Sequence, residues 1–219
     1  MALARGLPLL SRSYKTHPEI GDTMTNIYTE MNKIAGLVAL FSLMFLTAAG
    51  AFAQGPYGDP QSCCLAGNSV EPLSAEEAKA LAFMREEEKL ARDVYQQMAA
   101  RWNLRIFSNI AKSEQRHFEA IGILLERYGV KDPASAAPGV FNDERLASLY
   151  AQLMAKGSAS LKDALEVGIL IEKTDIADLE NALKTTTKLD IKNVYASLLA
   201  GSLNHQEAFE SVLEAVVTP

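Results

Sequence analysis

From about residue 73 to residue 217, apolar positions recur at alternating steps of three and four, the spacing that turns one stripe of an α-helix toward its neighbours. Four such seams can be followed. The first runs Leu81, Met84, Glu88, Ala91, Tyr95, Met98, Trp102, and the second Phe107, Ile110, Glu114, His117, Ile121, Leu124, Tyr128. The third runs Leu161, Leu165, Gly168, Glu172, Asp175, Leu179, Ala182, and the fourth Ile191, Tyr195, Leu198, Ser202, His205, Phe209, Val212, Val216. The pattern predicts four long helices. Between the second and third lies a long connection, Lys131 to Ala159, holding Pro133, Pro138 and a short amphipathic helix near Asp143 to Lys156. Ser74-Ala-Glu-Glu77 reads as a capping box that starts the first helix, Gly129 as the glycine that closes the second, and Ser160 with Asp163 as the cap of the third. Asp190 is the expected cap of the fourth.

Each seam is interrupted by polar residues near its middle. An ionised carboxylate in an apolar core costs several kcal/mol unless it shifts its pKa, finds a partner or binds a metal. Counted from the expected helix starts, the interruptions fall roughly nine to fifteen residues in, which at ~1.5 Å per residue brings them within a couple of turns of one level. Reversing a helix leaves its midpoint in place, so the level survives any up-down arrangement. The groups gathered there are Glu88, Glu114, Glu172, Asp175, His117 and His205. Mixed oxygen and nitrogen donors without a thiolate suit iron or manganese rather than a structural zinc. Glu86 and Glu87 fall off the seam and read as a solvated face. Tyr95 and Tyr128 are expected in the core with hydroxyls near the site, and Arg92 and Arg116, beside the seams, as partners of the carboxylates. Crowding of like charge leads to the expectation that Glu114→Ala stabilises the metal-free protein.

Composition narrows the function classes. The chain has 219 residues, 48% of them hydrophobic and 22% charged, ample for one domain with a core. Its net charge of -6, with acids and bases interspersed, offers no basic stripe to nucleic acid. Of the three histidines, two sit on the seams.

Met31 to Gln54 has the form of a secretory signal: Lys33, an apolar run from Ile34 to about Ala49, and Ala51-Phe52-Ala53 as a small-x-small cleavage site. This divides the chain into residues 1–30 upstream of a start at Met31, a signal peptide over 31–53, a linker over 54–72 and the helical domain over 73–217. The expected product is exported, periplasmic or secreted, after cleavage following Ala53. An organellar transit peptide over the first residues and an uncleaved membrane anchor are the alternatives. The linker carries the two cysteines, Cys63 and Cys64, which are not the C-x-x-C knuckles of a rubredoxin-type iron centre.

The runs REEEKLARDVY, NIAKSEQRH, EKTDIADLE and GSLNH together resemble the ferritin-like superfamily of carboxylate-bridged di-iron bundles. Within it they are similar to rubrerythrin-type proteins and above all to the branch catalogued as domain of unknown function 2202, over Leu73 to Ala215. The resemblance implies an all-α, ferritin-like up-down four-helix bundle with a long crossover carrying a short extra helix between bundle helices two and three. It implies a metal site of Glu88, Glu114, His117, Glu172, Asp175 and His205, with Tyr95 and Arg92 behind the ligands. Two irons per chain, or manganese, would then act on peroxide or dioxygen with electrons from an external donor, and a homodimer is compatible. Ser202-Leu-Asn-His205 departs from the Glu-x-x-His or Glu-x-x-Glu of the superfamily's fourth helix. Asp175 is the available replacement, and a mononuclear site or a non-enzymatic binding protein of the envelope is the alternative.

Overall fold

A computed structural model describes residues 71–218 together with Thr29. The expected signal peptide, the upstream segment, Cys63, Cys64 and most of the linker lie outside the described residues. The described chain is an all-α bundle of five helices: α1 (Ala75–Trp102), α2 (Arg105–Arg127), α3 (Glu144–Gly157), α4 (Leu161–Thr185) and α5 (Leu189–Val217). Among the described residues no helix is long and apolar enough to cross a membrane.

Local sequence sets the helix ends. Ser74 Oγ accepts from the Glu77 amide at 3.1 Å while Glu77 Oε2 accepts from the Ser74 amide at 2.9 Å, so the capping box at the start of α1 is reciprocal. Asn103 takes a left-handed conformation (φ 49°) and turns the chain into α2 within two residues. At the end of α2, Gly129 (φ 65°) lets its amide reach Glu126 O and the Val130 amide reach Leu125 O at 2.8 Å, a Schellman closure that packs Val130 back onto the core. Ser160 caps α4 through the Asp163 amide. The N-cap of α5 is Lys188 rather than Asp190; Asp190 sits in the first turn, where it accepts from Tyr128 Oη at 2.8 Å and pairs with Arg127. Tyr128 therefore serves a helix end and not the central site.

Short connections make α1 and α2 one hairpin and α4 and α5 another, and within each the two helices pack extensively. The crossover helix α3 packs on α4 and α1. The seams are buried as their spacing predicts, but the core has two apolar clusters rather than one. One holds Tyr95, Met98, Phe107, Leu153, Leu165 and Phe209. The other holds Leu81, Met84, Ile121, Leu179, Ile191 and Tyr195. Polar residues of all four long helices form the layer between them.

The crossover explains the residues that the seam pattern misplaces. Glu86 and Glu87 are buried, not solvated. Glu86 accepts from the backbone amides of Asn142 and Asp143 at 2.6 and 3.0 Å, holding the chain that leads into α3 against α1. One turn on, Lys89 and Asp93 form a fully buried pair at 2.5 Å. Lys89 Nζ also donates to Ala137 O at 3.0 Å, and Asp93 Oδ2 accepts from the Gly139 amide at 2.9 Å. A helix wrapped on its outer face by the crossover needs polar side chains there to satisfy the crossover's amides and carbonyls.

Candidate metal centre

Glu114 lies at the middle of the polar layer. Its two oxygens face different imidazoles: Oε2 lies 2.9 Å from His117 Nδ1 and Oε1 lies 2.7 Å from His205 Nδ1. Glu88 of α1 approaches the same nitrogen of His117 at 3.4 Å, and Glu172 of α4 approaches that of His205 at 3.5 Å. Two triads result, Glu88–Glu114–His117 and Glu114–Glu172–His205, each with one donor atom per residue within 4.8 Å of the others. They share Glu114. The two rings stack with centroids 5.5 Å apart. Gly201 makes room for this on α5, since a Cβ there would lie 2.7 Å from His117 Nε2.

The protonation equilibria follow from this crowding. Burial and the charges of Asp175 and Glu114 raise Glu88 well above the usual carboxylate range. Burial and Glu114 push Glu172 to about 7, against the pull of His205 and Tyr95. Burial would raise Glu114 as well, but its contacts with His117 and His205 outweigh it and hold that carboxyl at about 2. Burial disfavours charge on the imidazoles, yet Glu114 raises His117, and Glu114 with Glu172 carries His205 up to about 9.

The residues fit a metal. Buried polar atoms are ordinarily hydrogen-bonded, yet Glu88 Oε1, Glu114 Oε1, His117 Nδ1 and His205 Nδ1 have no hydrogen bond of acceptable geometry despite their short separations. Lone pairs that converge on a common space without bonding one another are satisfied together by a cation. The buried carboxylate and histidine groups could hold a metal ion, and oxygen with imidazole nitrogen is a hard-to-borderline donor set. A cavity of about 10 Å³, room for one water-sized species, reaches the layer between α1 and α4 under Leu146 and Leu149 of α3.

The neighbours of the triads divide differently from expectation. Tyr95 Oη donates to Glu172 Oε1 at 2.6 Å and lies 3.3 Å from Gly168 O, which orients that carboxylate. Arg92 does not reach the triads: its guanidinium binds Asp93 Oδ1 at 2.8 Å and Gln115 Oε1 at 2.9 Å. Arg116 binds Ser113. Asp175 is buried in the layer but belongs to neither triad; Ser202 Oγ donates to its Oδ2 at 2.5 Å, and burial with Glu172 raises it to about 8. The serine on α5 thus ties down the carboxylate expected to replace a fourth-helix glutamate.

The chain is 49% identical over 144 residues to the uncharacterized protein MJ0754 of Methanocaldococcus jannaschii, which covers 65% of this chain and 78% of that protein. The crystal structure of the hypothetical protein MJ0754 from Methanococcus jannaschii DSM 2661 superposes with a TM-score of 0.66 at 48% identity, over 67% of this chain and 85% of that one. Residues 77–217, the whole of the bundle from the first turn of α1 to the end of α5, match the family described as an uncharacterized protein domain, DUF2202, and the chain belongs to that family.

Proposed function

We propose that the protein is an exported metalloprotein whose buried layer holds two metal ions, iron or manganese, for redox chemistry on peroxide or dioxygen. The observation that carries this reading is the sharing of Glu114. A carboxylate whose two oxygens each meet a different histidine, with a further carboxylate behind each histidine, is arranged to bridge two cations. Glu88, Glu114 and His117 would hold one, and Glu114, Glu172 and His205 the other. When bound, such a pair supplies two electrons at one place, which matches the two-electron reduction of a peroxide bond. The chain supplies the rest. Leu146, Leu149 and Ile171 form the apolar side of the small cavity beside the layer. Tyr95 donates to Glu172 Oε1 at 2.6 Å and fixes the orientation of that carboxylate. The electrons come from a separate donor protein or small reductant. Export rests on the signal-like pattern of Met31 to Gln54.

The test is to load the metal-free protein anaerobically with ferrous iron and measure consumption of hydrogen peroxide and of dioxygen. Turnover of either, lost in Glu114→Ala, supports the reading. One observation favours a second reading: Asp175 is bonded to Ser202 and outside both triads, which leaves three carboxylates for two positions. A protein that binds one metal and consumes neither oxidant would be a non-enzymatic metal-binding protein.

A further inference from the structure

The carboxylates of the two triads are sealed from solvent, and their histidines are not. The side chains of Glu88, Glu114 and Glu172 are 2% exposed or less, whereas those of His117 and His205 are 10% and 12% exposed although Nδ1 of each is buried. The two hairpins meet along two lines on opposite sides of the bundle, α1 against α4 and α2 against α5. His117 and His205 belong to the second line. Gly201 of α5 lies there too: a Cβ on it would stand 2.7 Å from His117 Nε2 and 3.9 Å from His205 Cε1, so glycine leaves the outer edges of both rings uncovered.

An ion held by the triads has to pass one of these lines. The first is closed by α3, which is fastened at both ends. At its start Glu86 binds the amides of Asn142 and Asp143; at its end Lys156 pairs with Asp163 and Glu166 at 2.7 and 2.9 Å, and Trp102 Nε1 donates to Gly157 O at 2.9 Å. The space beneath Leu146 and Leu149 is about 10 Å³, too small for an ion with its waters. Detaching a packed helix is local unfolding, orders of magnitude slower than the rotamer change of a partly exposed side chain. On the second line only the two stacked rings stand between solvent and Glu114. We infer that metal ions reach the buried layer between α2 and α5, through a port at Gly201 that His117 and His205 open and close by rotation, and not beneath the crossover helix. Imidazole suits ferrous-like transition ions better than magnesium or calcium, so the port selects among ions before the triads do.

This inference rests on the metal-binding reading of the triads and fails separately from it. The experiment is rapid mixing of the full metal-free chain with Co(II), following the visible absorption of the bound ion, for the wild type, Asn204→Glu, Asn204→Lys, Ser148→Glu and Ser148→Lys. Asn204 is exposed on α5, three residues beyond Gly201 and so beside it on the helix surface; Ser148 is exposed on α3. Neither change enters the core, so fold and triads are retained. A charge beside the port steers the incoming cation: loading should be on the order of fivefold faster in Asn204→Glu than in Asn204→Lys at low ionic strength, the gap closing in salt, with both Ser148 variants at the wild-type rate. Divergence of the Ser148 pair, or one shared rate in all five proteins, would overturn the port and leave the triads standing. A wild type that binds no Co(II) would overturn the metal reading and the port with it.

Discussion

Glu114 Oε1 lies 2.7 Å from His205 Nδ1 on α5, three helices further along the chain, while its other oxygen lies 2.9 Å from His117 on its own helix. This contact reverses a sign. Repulsion among four acids at one level implies that Glu114→Ala stabilises the metal-free protein. In the structure Glu114 is the acid that the two imidazoles hold at about 2, so its removal takes the nearest carboxylate from both and leaves only Glu88 and Glu172 at 3.4 and 3.5 Å. Breaking a buried pair by deleting one member costs ~3 kcal/mol or more. Chemical denaturation of metal-free Glu114→Ala should show a loss of that order; unchanged or increased stability would mean that the imidazoles are neutral and Glu114 is not their counter-charge.

Tyr95 acts through Glu172. Tyr95→Phe removes a 2.6 Å hydrogen bond while keeping the ring against Phe209. The fold should lose about 1 kcal/mol, and metal affinity should fall on the order of tenfold, as for other residues that orient a ligand. Isothermal titration of both proteins with Mn(II) separates the effects. Equal affinities would place Tyr95 in the packing alone.

The pH dependence of the metal-free protein has a definite sign. Glu172 at about 7 and Asp175 at about 8 are raised above ordinary carboxylates, which titrate near ~4. The folded chain therefore keeps protons that the unfolded chain has released. Their stabilisation is complete below about pH 4 and is lost as pH rises through 7 and 8. His205, raised to about 9, adds in the same direction between about pH 6.5 and 9. Glu114 has the opposite sign, but its stabilisation is lost only as pH falls from about 4.5 toward 2. Melting of the metal-free protein should shift downward from about pH 5.5 to 8.5, and metal should flatten the profile by replacing those protons. A metal-free melt that rises across this window would contradict the protonation pattern.

Gly201→Ala tests the packing of His117. The added methyl meets the His117 ring, which can swing away, so stability should change by less than about 1 kcal/mol. Metal affinity should nevertheless fall at least about tenfold. An unchanged affinity would show that His117 need not stay against α5.

The gathering of the candidate ligands in one buried layer was legible along the chain because they occupy seam positions. Glu88, Glu114, His117, Glu172 and His205 each interrupt an apolar stripe, and the burial of the stripe carries them inward. Glu86, Glu87, Lys89 and Asp93 were not legible in this way. Heptad spacing describes one face of a helix, and α1 is covered on a second face by the crossover, whose amides at 139, 142 and 143 supply partners to residues far away in sequence. The one available signal was density: six charged residues among the eight from Glu86 to Asp93 exceed what an exposed strip of a covered helix holds. The place of Asp175 also depends on distance rather than spacing, since only the folded bundle brings Ser202 to its oxygen.

The bridging role proposed for Glu114 is tested most directly by the electron paramagnetic resonance spectrum of the full chain loaded anaerobically with Mn(II). Two ions joined by one carboxylate give the multiline spectrum of an exchange-coupled pair, and that signal should be present in the wild type and absent in Glu114→Ala. A wild-type spectrum made only of isolated ions at every loading would contradict a shared Glu114.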